Sequence, residues 1–214
     1  MVKIEPFESY SLKYDAWFDE NIFTYKSELQ AVKELLPQSK NGVEVGVGSG
    51  RFAAPLGIKL GLDPSKELGK IATKRGIKFV EGVAELLPFK DSQFDSVLMV
   101  TTICFLDDVE KAFKEVNRVL KSGGCLIIGF IDANSPLGQF YEKHKNESTF
   151  YKDATFYSVE EVISIMKKAN FKDFSFRQTL FQPKEKLKNI ESVKKGFGEG
   201  SFVVVKGIKQ EKRR

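Results

Sequence analysis

Histidine, cysteine and tryptophan are scarce in this 214-residue chain: one, two and one respectively. No metal site is expected. The two cysteines, Cys104 and Cys125, sit in apolar runs and read as buried reduced thiols rather than a structural disulfide. No apolar run approaches the roughly 18 residues of a membrane span, so no membrane partner is expected. The start, Met1-Val2-Lys3-Ile4-Glu5-Pro6, lacks the basic-then-apolar layout of a secretory signal, and the expected location is cytoplasmic. A strong charge of one sign is also missing. The net charge is +5, and without Lys209 to Arg214 the balance is 30 basic against 28 acidic residues. A short basic tail is weak evidence for nucleic acid, which is not an expected partner. Internal repeats and Pro/Gly/Ser-rich linkers are absent. The expectation is one domain over 1–214, with a helical cap at 1–40, a lid or insertion at 132–157 and a basic tail at 209–214. The sequence is silent on oligomeric state.

The most informative stretch is Val43-Glu44-Val45-Gly46-Val47-Gly48-Ser49-Gly50, followed by Gly61-Leu62-Asp63-Pro64. It reads as a buried strand, a glycine turn, a very short helix, and a second strand ending in a carboxylate. Glycine lets the backbone turn tightly and lets a ligand lie against it. Asp63 stands where an α/β nucleotide site places the acid that holds ribose hydroxyls. Between Gly50 and Gly57, Pro55 forbids a long helix, so the first crossover is short.

Apolar spacing predicts one helix from Tyr14 to Leu36, closed by Pro37. Strands follow at Gly42–Val47, Ile58–Leu62, Ile77–Val80, Phe94–Val100 and Cys125–Ile131. Ser65 caps a helix to Arg75, and Asp107 or Asp108 starts another. Ser135-Pro136 signals a helix start within the polar, aromatic stretch 132–157. Ser158-Val-Glu-Glu161 is a capping-box pattern for a helix to Ala169. The last strands are Phe174–Phe181 and Ser201–Ile208, with the lysine-rich segment Lys184–Lys195 between them as a solvated excursion.

Alternating strands and helices imply an α/β fold, a mostly parallel sheet with helices on both faces. Gly46–Gly50, Asp63, Ala84-Glu85 and Thr101-Thr102 follow four successive strands, so they face one crevice at the carboxyl ends. A dinucleotide dehydrogenase is the first rival. Its Gly-x-Gly-x-x-Gly fails, because Arg51 or Ala53 stands at the third glycine, depending on the register. The curtailed helix and Glu44 also disfavour a pyrophosphate.

These motifs resemble the class I S-adenosylmethionine-dependent methyltransferases, in particular the small-molecule (ubiquinone/menaquinone-like, type 11) branch. Glu44-Val-Gly-Val-Gly-Ser-Gly50 is similar to the family's first motif, Asp63 to its ribose acid, and Glu85 to Phe89 to its Glu-x-Leu-Pro-Phe loop. Phe94-Asp95 opens the fourth strand, and Arg118-Val-Leu-Lys-Ser-Gly-Gly124 precedes the fifth, as in that family. Tyr157-Ser158 with Asn170-Phe171 match its later helix. The resemblance covers about residues 40 to 175. It implies a Rossmann-like seven-stranded sheet whose last, antiparallel strand lies between strands five and six. It also implies S-adenosyl-L-methionine as cofactor. Gly46, Gly48 and Gly50 would pass under the methionine and ribose, Asp63 would bind the diol, and Pro64 would lie near the adenine. Ala84 and Glu85 would read the adenine edge, with Thr101 by the methionine end and Glu44 helping to hold its amino group. Val83 departs from the pattern, standing where the branch has an aspartate for the adenine amino group.

The expected reaction is in-line methyl transfer to a small molecule, in which the protein mainly aligns donor and acceptor. Candidate bases are Tyr14, Tyr25 and His144, with Asp132 and Tyr141 nearby in the expected crevice. His144, in Glu142-Lys-His-Lys145, reads first as part of a solvated helix face and only second as a base. Cys104 reads as a small buried hydrophobe rather than a nucleophile. Val100-Thr-Thr-Ile-Cys104 lacks the proline pair of base-amino methyltransferases, which disfavours nucleic acid as substrate. A non-enzymatic S-adenosylmethionine-binding protein and an RNA methyltransferase remain the alternatives.

Overall fold

The structure, a computed structural model, describes residues 4–38, 41–183 and 186–210. Its centre is one eight-stranded sheet built from β1 (Gly42–Val45), β2 (Leu60–Asp63), β3 (Lys78–Glu81), β4 (Phe94–Val100), β5 (Leu120–Ile131), β6 (Phe171–Thr179), β7 (Lys194–Lys195) and β8 (Phe202–Lys209). The order across the sheet is β3-β2-β1-β4-β5-β8-β6-β7. The contacts among β1 to β5 are parallel. β8 runs antiparallel between β5 and β6, as expected. The two-residue β7 is an added edge, antiparallel to β6, formed where the lysine-rich excursion ends.

β4 shows why the sheet is covered twice. Val97 and Met99 point into one apolar layer with α5 (Val109–Val119) and α7 (Val159–Lys168). Leu98 and Val100 point into the opposite layer with α3 (Ile22–Leu35) and Ala72 of α4 (Lys66–Lys74). A strand buried on both faces reads as a continuous apolar run, as Phe94–Val100 does. Each large side chain buried there contributes about 1.5–3 kcal/mol, so Phe113→Ala in α5 would cost roughly 3–5 kcal/mol.

The caps follow local chemistry. Ser65 Oγ accepts from Leu68 N at 3.2 Å at the start of α4. Asp108 Oδ1 accepts from Lys111 N at 2.9 Å at the start of α5. Ser158 and Glu161 form the full capping box of α7. Ser135 caps α6 (Pro136–His144), with Pro136 in its first turn.

Several element boundaries differ from the sequence reading; among the strands, β1 ends at Val45 rather than Val47, β2 begins at Leu60 rather than Ile58, and β6 ends at Thr179 rather than Phe181. The single helix expected over Tyr14–Leu36 is two, α2 (Ser11–Glu20) and α3, preceded by the five-residue α1 (Glu5–Ser9). The break falls at Asn21, whose side-chain amide donates to Trp17 O at 2.8 Å and competes with the helix ladder. β3 ends one residue later than expected, at Glu81, which pairs with Asp63. β5 begins at Leu120 rather than Cys125. Leu120 pairs with Phe94 and Cys125 with Ser96, so the intervening residues form an irregularity around Gly123, at φ +73°. β6 begins at Phe171 rather than Phe174, with a register shift between Lys172 and Ser175. Between β1 and β2 the expected very short helix is replaced by turns, Pro55 lacking the amide a helical ladder would use. Of the basic tail, 211–214 lie outside the described residues, as do 1–3 and 39–40 of the expected cap and 184–185 of the lysine-rich segment.

Candidate active site

Strand order reverses at β1, which has β2 on one side and β4 on the other. Ligands of open α/β sheets bind outside the carboxyl ends of the strands at such a switch point. An open cleft, about 720 Å³ of space counted together with the solvent at its mouth, lies there, among Gly46, Gly48, Asp63, Ala84, Thr101 and, from α1, Phe7. No lysine or arginine is among its described lining residues.

The floor is the glycine turn. Gly46 has φ +74°, and a Cβ there would lie 2.3 Å from the Thr102 side chain. Only glycine therefore lets the end of β1 pass the end of β4 at this distance. Two residues on, the Gly48 amide donates to Asp63 Oδ2 at 2.8 Å. Asp63 Oδ1 accepts from Ser65 N at 2.9 Å. The carboxylate is thus fixed by two backbone donors, one on each oxygen, and retains lone pairs for a ligand. Burial raises its pKa to about 6, with the Ser65 and Gly48 amides opposing the rise and Glu8 adding to it.

Glu44 lies one layer beneath. It sits in β1 between Gly61 and Leu98, is 1% exposed, and its Oε2 has no hydrogen-bond partner among the described residues. Burial pushes its pKa well up, and the Asp63 charge adds to the shift. Glu44 does not line the cleft, but the Asp63 charge acts on it and its own charge acts on Tyr14, both of which do.

Tyr14 of α2 closes the cleft from above. A Cβ on Gly48 would meet its ring at 3.5 Å. Burial first, then the Asp63, Glu44 and Cys104 charges, raise the phenol's pKa far above its ordinary value, against a hydrogen bond to Thr101. The phenol therefore stays protonated and serves as a donor rather than a base. α2 is held over the turn by Arg51, whose Nε donates to Asp15 Oδ1 at 2.8 Å and whose Nη2 donates to Asp19 Oδ2 at 2.6 Å. Arg75 Nη2 adds a second bond to Asp15 at 2.8 Å.

Thr101 ends β4 at φ +50°, a strained conformation for a β-branched residue. Its amide donates to Gly129 O at 2.8 Å and its hydroxyl to Val100 O at 2.8 Å, which hold it there. On the far side of Thr101 lies a second cavity of about 300 Å³, walled by Phe130, Tyr151, Phe156 and Tyr157. Thr101 lines both.

Of the residues singled out in the sequence, Tyr14, Gly46, Gly48, Asp63, Pro64, Ala84, Glu85 and Thr101 come together in the cleft. Glu85 also has a fixed task, since its Oε1 accepts from Asp107 N at 3.0 Å and ties the loop after β3 to the loop after β4. Gly50 lies outside the lining, and a Cβ there would press on Ile77 at 3.2 Å. Tyr25 points into the core under α3, its hydroxyl donating to Arg51 O. His144 ends α6 with Nδ1 on Phe140 O at 2.9 Å, away from both cavities. Asp132 is buried at the end of β5, accepting from Asn134 N at 3.1 Å. Tyr141 stacks on Tyr151 at 5.0 Å. Sequence reasoning missed Phe7 and Phe105 at the cleft, and the walls of the second cavity. The density of aromatic residues in 150–157 was the available signal for those walls. The five-residue α1 offered no periodicity to detect Phe7.

Comparison with known proteins agrees with this geometry. The family model described as "Methyltransferase domain" matches residues 43–128, which span β1 through most of β5. A crystal structure of a SAM-dependent methyltransferase from Thermotoga maritima, described as a possible histamine N-methyltransferase, is 53% identical. It covers 97% of this chain and 100% of its own, at a TM-score of 0.94. An uncharacterized protein of Methanocaldococcus jannaschii is 49% identical, covering 95% of this chain and 98% of that relative. The demethylmenaquinone methyltransferase of Chlorobaculum tepidum is 32% identical over 65% of this chain and 69% of its own length. The chain belongs to the S-adenosylmethionine-dependent methyltransferase family. It is an enzyme of that class, and its cofactor is S-adenosylmethionine. Among the described residues no helix is long and apolar enough to cross a membrane.

Proposed function

We propose that the chain transfers the methyl group of S-adenosylmethionine to a small-molecule acceptor, and that the two cavities meeting at Thr101 divide the work. The single observation that carries this is Thr101 itself, which lines the open cleft on one side and the smaller aromatic cavity on the other. When bound, the cofactor supplies a methyl group activated by the positive sulfonium to which it is attached.

The residues present fit that cofactor. Asp63, fixed by two amides, would accept from both ribose hydroxyls. Glu44, beneath the cleft with an orphaned Oε2, would help hold the amino group of the methionine portion indirectly rather than by contact. An acidic cleft without a basic side chain suits a ligand with cationic groups and disfavours a pyrophosphate. Gly46 and Gly48 would pass beneath the ribose and methionine, with Thr101 by the methionine end. Pro64 and Ala84 would flank the adenine. Val83, the departure from the family's aspartate, lines the same pocket and would offer the adenine an apolar wall, leaving its edge to the backbone. Gly50 would act indirectly, by letting the turn pack on Ala72 and Ile77.

No general base is assigned. Tyr14 keeps its proton, and Tyr25 and His144 are outside both cavities. The chain's contribution would be to align, to exclude water, and to bring donor and acceptor together at Thr101. We read 1–214 as one domain of a cytoplasmic enzyme, with 1–40 as the helical cap and 132–157 as the lid that walls the acceptor. Nucleic acid is not the proposed substrate.

Transfer of labelled methyl groups from S-adenosylmethionine to a panel of amines, quinols, phenols and carboxylates tests the reading. Turnover of a small acceptor supports it, whereas transfer confined to RNA contradicts it. The named relatives put amines and demethylmenaquinone-like quinols first on that panel.

A further inference from the structure

Resting on the reading of the main cleft as the cofactor site, we infer that Phe7 and Glu8 of α1 are positioning residues. Together they clasp α1 over the bound cofactor and set how fast the spent cofactor leaves.

The first two helices are held very differently. α2 is pinned to the glycine turn by ion pairs, Asp15 to both Arg51 and Arg75, and Asp19 to Arg51. α1 has five residues, none of them buried, and no side-chain cap at its start. A helix of that length has little stability of its own and stays where its side chains hold it. The joint between the two is the half-exposed Tyr10, whose φ of −122° and ψ of 31° belong to neither helix. α1 can turn there while α2 stays in place.

Two side chains do the holding. The Phe7 ring sits among Tyr14 of α2, Phe105 after β4 and Phe150 of the 132–157 stretch, with centroids 5.4, 4.9 and 5.5 Å away. The first two pairs are edge-to-face, at 81° and 76°, an arrangement that ring quadrupoles favour. One residue on, Glu8 Oε2 accepts from Ser65 Oγ at 2.6 Å and from Glu67 N at 3.4 Å, placing a negative charge at the start of α4. Among the described residues these are the only side-chain hydrogen bonds from α1 to the rest of the fold.

The clasp closes on the site itself. Ser65, whose hydroxyl donates to Glu8, also donates its amide to Asp63 Oδ1 at 2.9 Å and caps α4 through Leu68 N. The residue that receives the latch thus also orients the proposed ribose acid. Phe7 and Ile4, at the start of α1, line the cleft. A cofactor there would be covered by both side chains, and the apolar surface buried between them would favour the docked helix over a swung-out one. By the same linkage the docked helix would slow release. Elements that open over ligands come from the weakly held parts of a fold, as α1 is and α2 is not.

The test uses the full chain with S-adenosylhomocysteine as probe, in two readouts. Hydrogen exchange of the amides from Phe7 to Tyr10 should be fast without ligand and slow with it. Exchange that does not change on binding overturns the inference. In stopped flow, Phe7→Ala should speed release roughly tenfold and change association much less, since a lost clasp acts on dissociation. Glu8→Gln keeps an acceptor and loses the charge, and should speed release by a smaller factor. Release from Phe7→Ala at the unaltered rate overturns the inference, and so does a loss confined to association, the mark of a distorted site. Where Phe7→Ala does not fold, Glu8→Gln and the exchange measurement decide. Failure of S-adenosylhomocysteine to bind the unaltered protein would instead count against the cofactor-site reading, which keeps the two outcomes apart.

Discussion

The Gly48 amide donates to the Asp63 carboxylate at 2.8 Å, joining the turn after β1 to the end of β2. One hydrogen bond thus positions both the glycine floor and the acid of the cleft. Asp63→Asn keeps an oxygen for one amide donor and removes the charge. S-adenosylhomocysteine affinity should fall roughly tenfold to a hundredfold, the scale of a charge-assisted hydrogen bond. An unchanged dissociation constant by calorimetry would sink the ribose assignment.

The same carboxylate sets a pH dependence. Burial raises its pKa to about 6, from an ordinary 3.8. Ribose hydroxyls donate to the ionised form, so cofactor affinity should climb by about tenfold per pH unit below 6 and level off above it. In Asp63→Asn this step should disappear. A flat profile between pH 5 and 7 in the unaltered protein would contradict the assignment.

Two glycines at positive φ should respond very differently to a methyl group. At Gly46 the new Cβ would meet Thr102 at 2.3 Å, whereas at Gly57, φ +78°, nothing lies within 4 Å. Gly57→Ala should cost only the backbone term, about 1–2 kcal/mol, with cofactor affinity intact. Gly46→Ala should cost more in a urea melt and lose cofactor binding. Equal effects would show that the turn is not tightly packed against β4.

Thr101 carries strain where the two cavities meet, at φ +50°. Replacement by glycine should relieve it and stabilise the chain by about 1 kcal/mol, less the added freedom of the unfolded state. Methyl transfer should fall as the hydroxyl beside Tyr14 is lost. A destabilised variant with full activity would overturn this view of Thr101.

Glu28 is the fourth handle. Its folded pKa, raised by burial to about 8, exceeds the ordinary 4.5, so the folded state holds its proton more tightly than the unfolded chain. Stability from this group is present below pH 4.5 and is lost as pH rises through 8, by roughly 3–5 kcal/mol. Glu28→Gln should therefore gain on the unaltered protein in urea melts as pH moves from 5 to 8.5. Asp63 ionises alike in both and cancels. A constant difference across that range would show that Glu28 is not buried as an acid.

The sheet and the cofactor cleft were legible in the sequence because each rests on short-range chemistry. Gly46 and Gly48 are needed for conformation and close approach, Asp63 ends a strand, and Ser65, Asp108 and Ser158 cap their helices through local hydrogen bonds. The continuous run Phe94–Val100 announced a strand covered on both sides. What was not legible depends on contacts distant in sequence. The break at Asn21 is a side-chain amide winning over helix periodicity. Tyr25 and Gly50 had the right residue types for a site, yet core packing claims both. The aromatic cavity draws its walls from Phe130 of β5 and from Tyr151 and Tyr157 of the loop before α7, a grouping that no spacing rule reveals.

The most direct measurement is a crystal structure with S-adenosylhomocysteine bound. The account predicts both ribose hydroxyls within hydrogen-bond distance of Asp63, adenine beside Pro64, Val83 and Ala84, and the sulfur facing Thr101 and the aromatic cavity. A ligand lying elsewhere, or reversed so that adenine sits at Thr101, would contradict it.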